Sequence, residues 1–141
     1  MKLLFDTGVL GALCHPRKHA DVKLWYRGLL GVRRDTLYLP ALADFELRRE
    51  LLRLGATASL RALDRLATEI VYIPLTDAML RDAAALWAGL WRTGHPLGTA
   101  DSLSADVILA AQARAVEATV VTDNHAHLGL MVDTIAWGAV E

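Results

Sequence analysis

The chain has 141 residues, which suits one domain, and with 54% hydrophobic and 22% charged residues it holds enough apolar material for a core and no compositional sign of disorder. A net charge of −1 gives no support to bulk electrostatic attraction to nucleic acid, and the one cysteine, Cys14, excludes an internal disulfide or a Cys-rich zinc site and suits a reducing cytosol. The opening residues carry too short an apolar run for a secretory signal, and no stretch reaches the ~18 apolar residues of a membrane span, so a soluble, cytoplasmic chain without membrane contact is expected.

Residues 2–5 are a short apolar run stopped by Asp6-Thr7-Gly8, which reads as a buried strand. Val22, Trp25, Leu29 and Leu30 recur at helical spacing over 20–30. Residues 36–39 alternate and stop at Pro40, giving a second strand. Residues 41–54 are rich in helix formers and end at Gly55, a good C-terminal signal; 57–68 read as another helix and 69–73, before Pro74, as a third strand. Thr76-Asp77 can cap a long helix reaching Trp91, with Leu80, Ala83, Ala84, Trp87 and Trp91 facing the core. A loop over 94–99 follows. Ser104 is a plausible cap for a helix over 105–116, which places Asp106 in its first turn. The β-branched run 119–122 is a fourth strand and 134–137 a fifth. Strands alternating with helices predict an α/β fold, a mainly parallel sheet covered on both faces, in one domain over 1–141. Sites in such sheets form beyond the C-terminal strand ends.

Carboxylates fall at those places. Asp6 ends the first strand, where an aspartate is costly to bury without a partner, although Asp-Thr-Gly is also a good turn. Glu46 shares a helical stripe with Arg49, Glu50 and Arg53, which taken alone reads as surface ion pairs. Asp106 opens a nearly unbroken apolar helix; the helix dipole alone would favour it there. Asp101 lies five residues earlier and can ligate directly, act through water, or order its loop. Asp123-Asn124 follows the fourth strand, where both residue types also suit a capped turn. Each is weak singly, but together they converge on one sheet edge. Crowded carboxylates repel one another and a divalent cation relieves that conflict; oxygen ligands without cysteine select Mg²⁺ or Mn²⁺ over zinc. The chemistry natural to such a site is phosphodiester hydrolysis.

Residues 1–7, MKLLFDT, the helix segment FELRREL over 45–51, ADVILAAQA over 105–113 and TVVTDN over 119–124 resemble, in that order and spacing, the PIN domain family and more closely its VapC-type toxins. The resemblance spans nearly the whole chain, and the third segment is its most specific part. It implies a three-layer α/β/α fold with a central, mostly parallel sheet of four or five strands. It implies a Mg²⁺- or Mn²⁺-dependent endoribonuclease that is the toxin of a type II toxin–antitoxin pair, commonly a homodimer silenced by a small antitoxin. It selects Asp6, Glu46 and Asp106 as metal ligands, with Asp123 or Asn124 completing the set. Thr7, Asp101, Arg49 and Thr122 are expected in support or against the substrate. In many members the fourth ligand is the second residue after the threonine; here that is Asn124, with Asp123 before it, and His127-Leu128 replace a usual aromatic. The alternative is an inactive module of the same fold that binds RNA or a partner.

Other features have plainer readings. His15, His19, His95, His125 and His127 offer only a weak zinc pattern, His125-x-His127. Arg48, Arg49, Arg53, Arg33-Arg34 and Arg17-Lys18 can meet phosphates, but solvated helix faces account for them equally well. Trp87 and Trp91 could stack bases, though core packing or a dimer interface is the stronger expectation. A small phosphatase-like hydrolase would share the acidic site but lacks a phosphate-cradling glycine loop.

Overall fold

A computed structural model of the chain describes residues 1–32, 35–94 and 100–140, with the backbone alone at 32, 100 and 101. The expectations attached to Arg33-Arg34, His95 and the 94–99 loop beyond Gly94, and to the Asp101 side chain, lie outside the described residues. Five strands run β1 (Lys2–Phe5), β2 (Thr36–Pro40), β3 (Val71–Ile73), β4 (Thr119–Val121) and β5 (Thr134–Ile135). The seven described helices are α1 (Thr7–Cys14), α2 (Ala20–Val32), α3 (Ala41–Leu54), α4 (Thr57–Glu69), α5 (Asp77–Arg92), α6 (Ala100–Val116) and α7 (His125–Leu128), with a 3₁₀ turn at Trp137–Ala139.

Every strand pair is parallel and the sheet order is β3-β2-β1-β4-β5. The three-layer α/β/α fold is therefore present with five strands. α1 to α4 pack among themselves in the first half of the winding, and α5 packs along α6 in the second. Leu3, Leu4 and Phe5 are fully buried, since β1 is the middle strand and helices cover both its faces. The winding moves from β1 to β2 and β3 on one side, then returns to place β4 on the other. The C-terminal ends of β1 and β4 are thus the switch point, where a crevice opens because the connections leave in opposite directions.

Four sequence expectations are corrected. The chain after Asp6 is a helix, α1, and not simply a turn. Its sequence TGVLGALC is apolar nearly all round and holds two glycines, so it shows no amphipathic period to read. α6 begins at Ala100, so Ser104 lies inside it and is no cap, and Asp106 stands in its second turn. On α5 the expected cap Thr76 does accept from the Met79 N–H at 3.2 Å. Its buried residues, however, are Met79, Ala83 and Leu90, while Leu80, Ala84, Trp87 and Trp91 are exposed. The apolar stripe there is wide enough to be drawn one residue off, and only the packing partner α6 selects its centre. The short helix α7 escapes the sequence because it is four residues long, too short for a period. Gly129 closes it: its N–H donates to the His125 carbonyl at 2.9 Å, and a Cβ there would come within 2.5 Å of that oxygen. Among the described residues no helix is long and apolar enough to cross a membrane.

Candidate active site

Phe5 and Val121 are register partners on β1 and β4, so Asp6 and Thr122 leave the sheet side by side at the switch point. The Asp6 N–H donates to the Val121 carbonyl at 3.2 Å. Its carboxylate caps α1, with Oδ1 accepting from the Val9 N–H at 3.0 Å, a role for which aspartate is well suited. Oδ2 accepts from the Thr122 hydroxyl. Thr122 is fully buried, and its oxygen also takes the Asn124 N–H at 2.8 Å. With its lone pair turned to that amide, the hydroxyl proton is directed at Asp6. Both oxygens of Asp6 are therefore fixed, one by α1 and one by the end of β4.

The neighbouring Thr7 hydroxyl donates to Glu46 Oε1 at 2.8 Å, which draws a second carboxylate in from α3. This overturns the plain reading of Glu46 as one rung of a surface ladder. In that stripe Glu50 pairs with Arg53, while Glu46 turns inward to Thr7. Asp106 arrives from α6. His127 Nδ1 stands 3.4 Å from its Oδ2, an electrostatic contact longer than a well-made hydrogen bond. The other histidine of the weak zinc pattern, His125, turns to the Thr134 hydroxyl at 2.9 Å.

Burial pushes the Asp6 carboxyl above its ordinary value; the Thr122 and Val9 bonds pull it back, and the charge of Asp123 raises it further. Burial likewise raises Asp106, His127 opposes the rise, and the charges of Glu46 and Asp6 add to it. Asp106 thus feels the charges of Glu46 and Asp6, and Asp6 that of Asp123, although these residues come from the end of β1, α3, α6 and the segment after β4. The carboxylates are not drawn in around one point: among the described residues no three His, Cys, Asp or Glu side chains are gathered tightly enough to grip a single ion. Their donor chemistry still fits a hard divalent cation, being all oxygen and mutually repulsive.

Two site residues were missed from the sequence. His127 had a signal only as part of the weak zinc pattern, and its contact with Asp106 depends on α7. Gln112 had none, since it interrupts an apolar run in which a lone amide looks incidental. It is fully buried; its Oε1 accepts from the Leu42 N–H at 3.2 Å and its Nε2 donates to the Ile73 carbonyl at 2.9 Å. Gln112 therefore ties the helix that carries Asp106 to the first turn of the helix that carries Glu46. Cys14 takes no part: it is the buried last residue of α1 and its thiol is pushed up to about 11 by desolvation.

A family model described as the PIN domain matches residues 3–128. No curated protein matches the chain in sequence. Among solved structures, the chain is similar to VapBC2 from Rickettsia felis bound to a DNA fragment from its promoter, with 16% identity, 97% of this chain and 99% of that chain covered, and a TM-score of 0.79. It is similar to a toxin–antitoxin complex from Klebsiella pneumoniae at 17% identity, covering 96% and 97%, with a TM-score of 0.64. It is also similar to VapC20 of Mycobacterium tuberculosis, a sarcin–ricin loop cleaving toxin, at 16% identity, covering 91% and 94%, with a TM-score of 0.67. At these identities the likeness is one of fold.

Proposed function

The chain belongs to the PIN domain family, and from that premise we propose that it is a metal-dependent endoribonuclease acting in the cytoplasm, the toxin of a type II toxin–antitoxin pair. The observation that carries this reading is the run of like-charge couplings that links Asp123 to Asp6, Asp6 to Asp106 and Asp106 to Glu46, carboxylates from distant segments. Such a cluster costs stability unless something positive enters it. Asp6, Glu46, Asp106 and Asp123 would hold Mg²⁺ or Mn²⁺, with Asn124 beside them. The bound ion would supply charge neutralisation at the scissile phosphate and a water nucleophile at neutral pH. The chain's own residues aim the ligands: Thr122 and the α1 cap hold Asp6, and Thr7 holds Glu46. The decisive test is Mn²⁺ titration by calorimetry together with RNA cleavage. Cleavage that survives EDTA would sink the metal mechanism.

The loose set of the carboxylates also motivates the second reading, an inactive module that binds RNA or a partner. Absence of Mn²⁺ binding at millimolar concentration would favour it. On the nuclease reading, Thr7→Val should weaken Mn²⁺ binding by about 10- to 100-fold, the usual cost of losing a group that orients a ligand. Affinity within twofold of wild type would show that Thr7 does not aim Glu46.

The partners follow the same reading. An antitoxin is supported by the likeness to a solved toxin–antitoxin complex. Homodimerisation is supported by α5, whose outer face exposes Leu80, Trp87 and Trp91 beside an apolar groove of about 300 Å³ shared with Val107 and Ile108 of α6. The two tryptophan rings lie 5.5 Å apart in the open, and not in the core as one expectation had it. An exposed pair of this size marks a contact surface. Trp87→Glu should therefore yield monomers by light scattering, and an unaltered dimer would place the interface elsewhere.

A further inference from the structure

α3 carries a second feature next to Glu46 that the metal reading leaves unused. Phe45 is 57% exposed, so its ring is open to a ligand. Arg49 lies over it, with Cζ 5.2 Å from the ring centroid. The other two arginines of this helix are committed. Arg48 holds Asp44 at 3.0 Å and Asp64 at 2.8 Å, and Arg53 holds Glu50. Among the described residues Arg49 makes no hydrogen bond to a carboxylate; its planar donors remain open at the edge while its face rests on the phenyl ring. Residues three apart on a helix are neighbours, about 5–6 Å between Cβ atoms, so Arg49 stands directly beside Glu46.

We propose that Phe45 and Arg49 form a docking element for single-stranded RNA at the edge of the acidic site, with Arg49 bonding a phosphodiester and the stacked pair presenting a flat face to a base. The proposal rests on the nuclease reading and names how its substrate is held. An acidic cluster alone repels a polyanion, and a net charge of −1 supplies no general attraction. A cation free of carboxylate bonds beside Glu46 meets that need, and guanidinium is the group whose planar fork matches phosphate. Single-stranded RNA is recognised by stacking on aromatic and guanidinium planes, which an exposed Phe–Arg pair offers.

The test uses the full chain carrying Asp106→Asn, so that the probe survives, and a fluorescein-labelled single-stranded RNA of mixed sequence read by anisotropy. Both positions are exposed on a helix, so alanine there leaves the core untouched. Phe45→Ala should weaken binding about tenfold with an unchanged salt slope, because stacking is uncharged. Arg49→Ala should weaken it comparably and reduce the slope of log K against log salt by about 0.7, the value of one phosphate contact on a single strand. Phe45→Trp should restore affinity, and Arg49→Lys should restore the slope but not the full affinity. Wild-type RNA binding by both alanine variants would overturn the proposal. A switch from dimer to monomer as their only effect would overturn it too, by assigning the pair to a protein contact. If the parent chain bound no RNA at all, the nuclease reading would fall and this proposal with it, an outcome distinct from failure of the variants alone.

Discussion

Replacing Asp106 with asparagine should reduce RNA cleavage by more than about a hundredfold while making the metal-free protein more resistant to heat. The first effect follows from its place in the acidic cluster: loss of even a supporting partner of a metal ligand costs about 10- to 100-fold, and loss of a ligand costs more. The second follows from the sign of its titration. Burial and the charges of Glu46 and Asp6 raise its carboxyl above the ordinary 3.8, with His127 opposing. A carboxylate raised in the folded state favours the unfolded chain once pH exceeds the unfolded value, and the penalty grows until pH passes the raised folded value. Burial penalises the charged form of the aspartate, and the isosteric amide has no charged form. The melting temperature of the variant should exceed that of wild type at pH 7, and the gap should close as pH falls toward 4. Asp106 suits this comparison better than Asp6. An amide at position 6 would turn either its NH₂ on the Thr122 hydroxyl or lose the cap on Val9. Undiminished cleavage, or a lower melting temperature at pH 7, would contradict the site as described.

The largest effect on stability is expected at Gln112, a residue with no charge and no exposure. Gln112→Leu keeps the volume but leaves the Leu42 N–H and the Ile73 carbonyl buried without partners. Each orphaned group costs about 1–3 kcal/mol, so the loss should be about 2–6 kcal/mol, or roughly 10 °C in melting temperature for a chain of this size. Leu42 lies in the first turn of α3, whose early N–H groups have no partner within the helix. Pro40 before it provides no side-chain cap, so Gln112 does that work from α6. Because the same amide fixes α3 against α6, the variant should also bind Mn²⁺ more weakly at temperatures where it remains folded. Thermal unfolding by circular dichroism reads the first effect and calorimetry the second. A loss below about 1 kcal/mol would mean that the two backbone groups find water.

Much of this molecule was legible in its order of residues. The hydrophobic runs at 2–5 and 119–122, the helix formers of 41–54 ending at Gly55, and the cap at Thr76 each act over a few neighbours, and each stands in the structure within a residue or two. Alternating strands and helices then left few topologies, and a parallel sheet with its site at strand ends was the natural one. Four acidic positions could be named because each follows a strand or sits on a helix beside it, and because the motifs around them resemble a family. What local pattern could not decide was direction and company. α1 was hidden because an all-apolar helix has no period, and the face of α5 was drawn wrongly because only contact with α6 selects which apolar stripe is buried. Glu46 taken alone read as part of a surface ladder until Thr7, 39 residues away in sequence, donated to it. Gln112 acquired its meaning from partners 70 and 39 residues distant. Periodicity, capping and turn chemistry are short-range and are written in adjacent residues. The aim of a side chain, the rise in a carboxyl's pKa and the partner of a buried amide are set by groups far along the chain, and only folding brings those groups within reach.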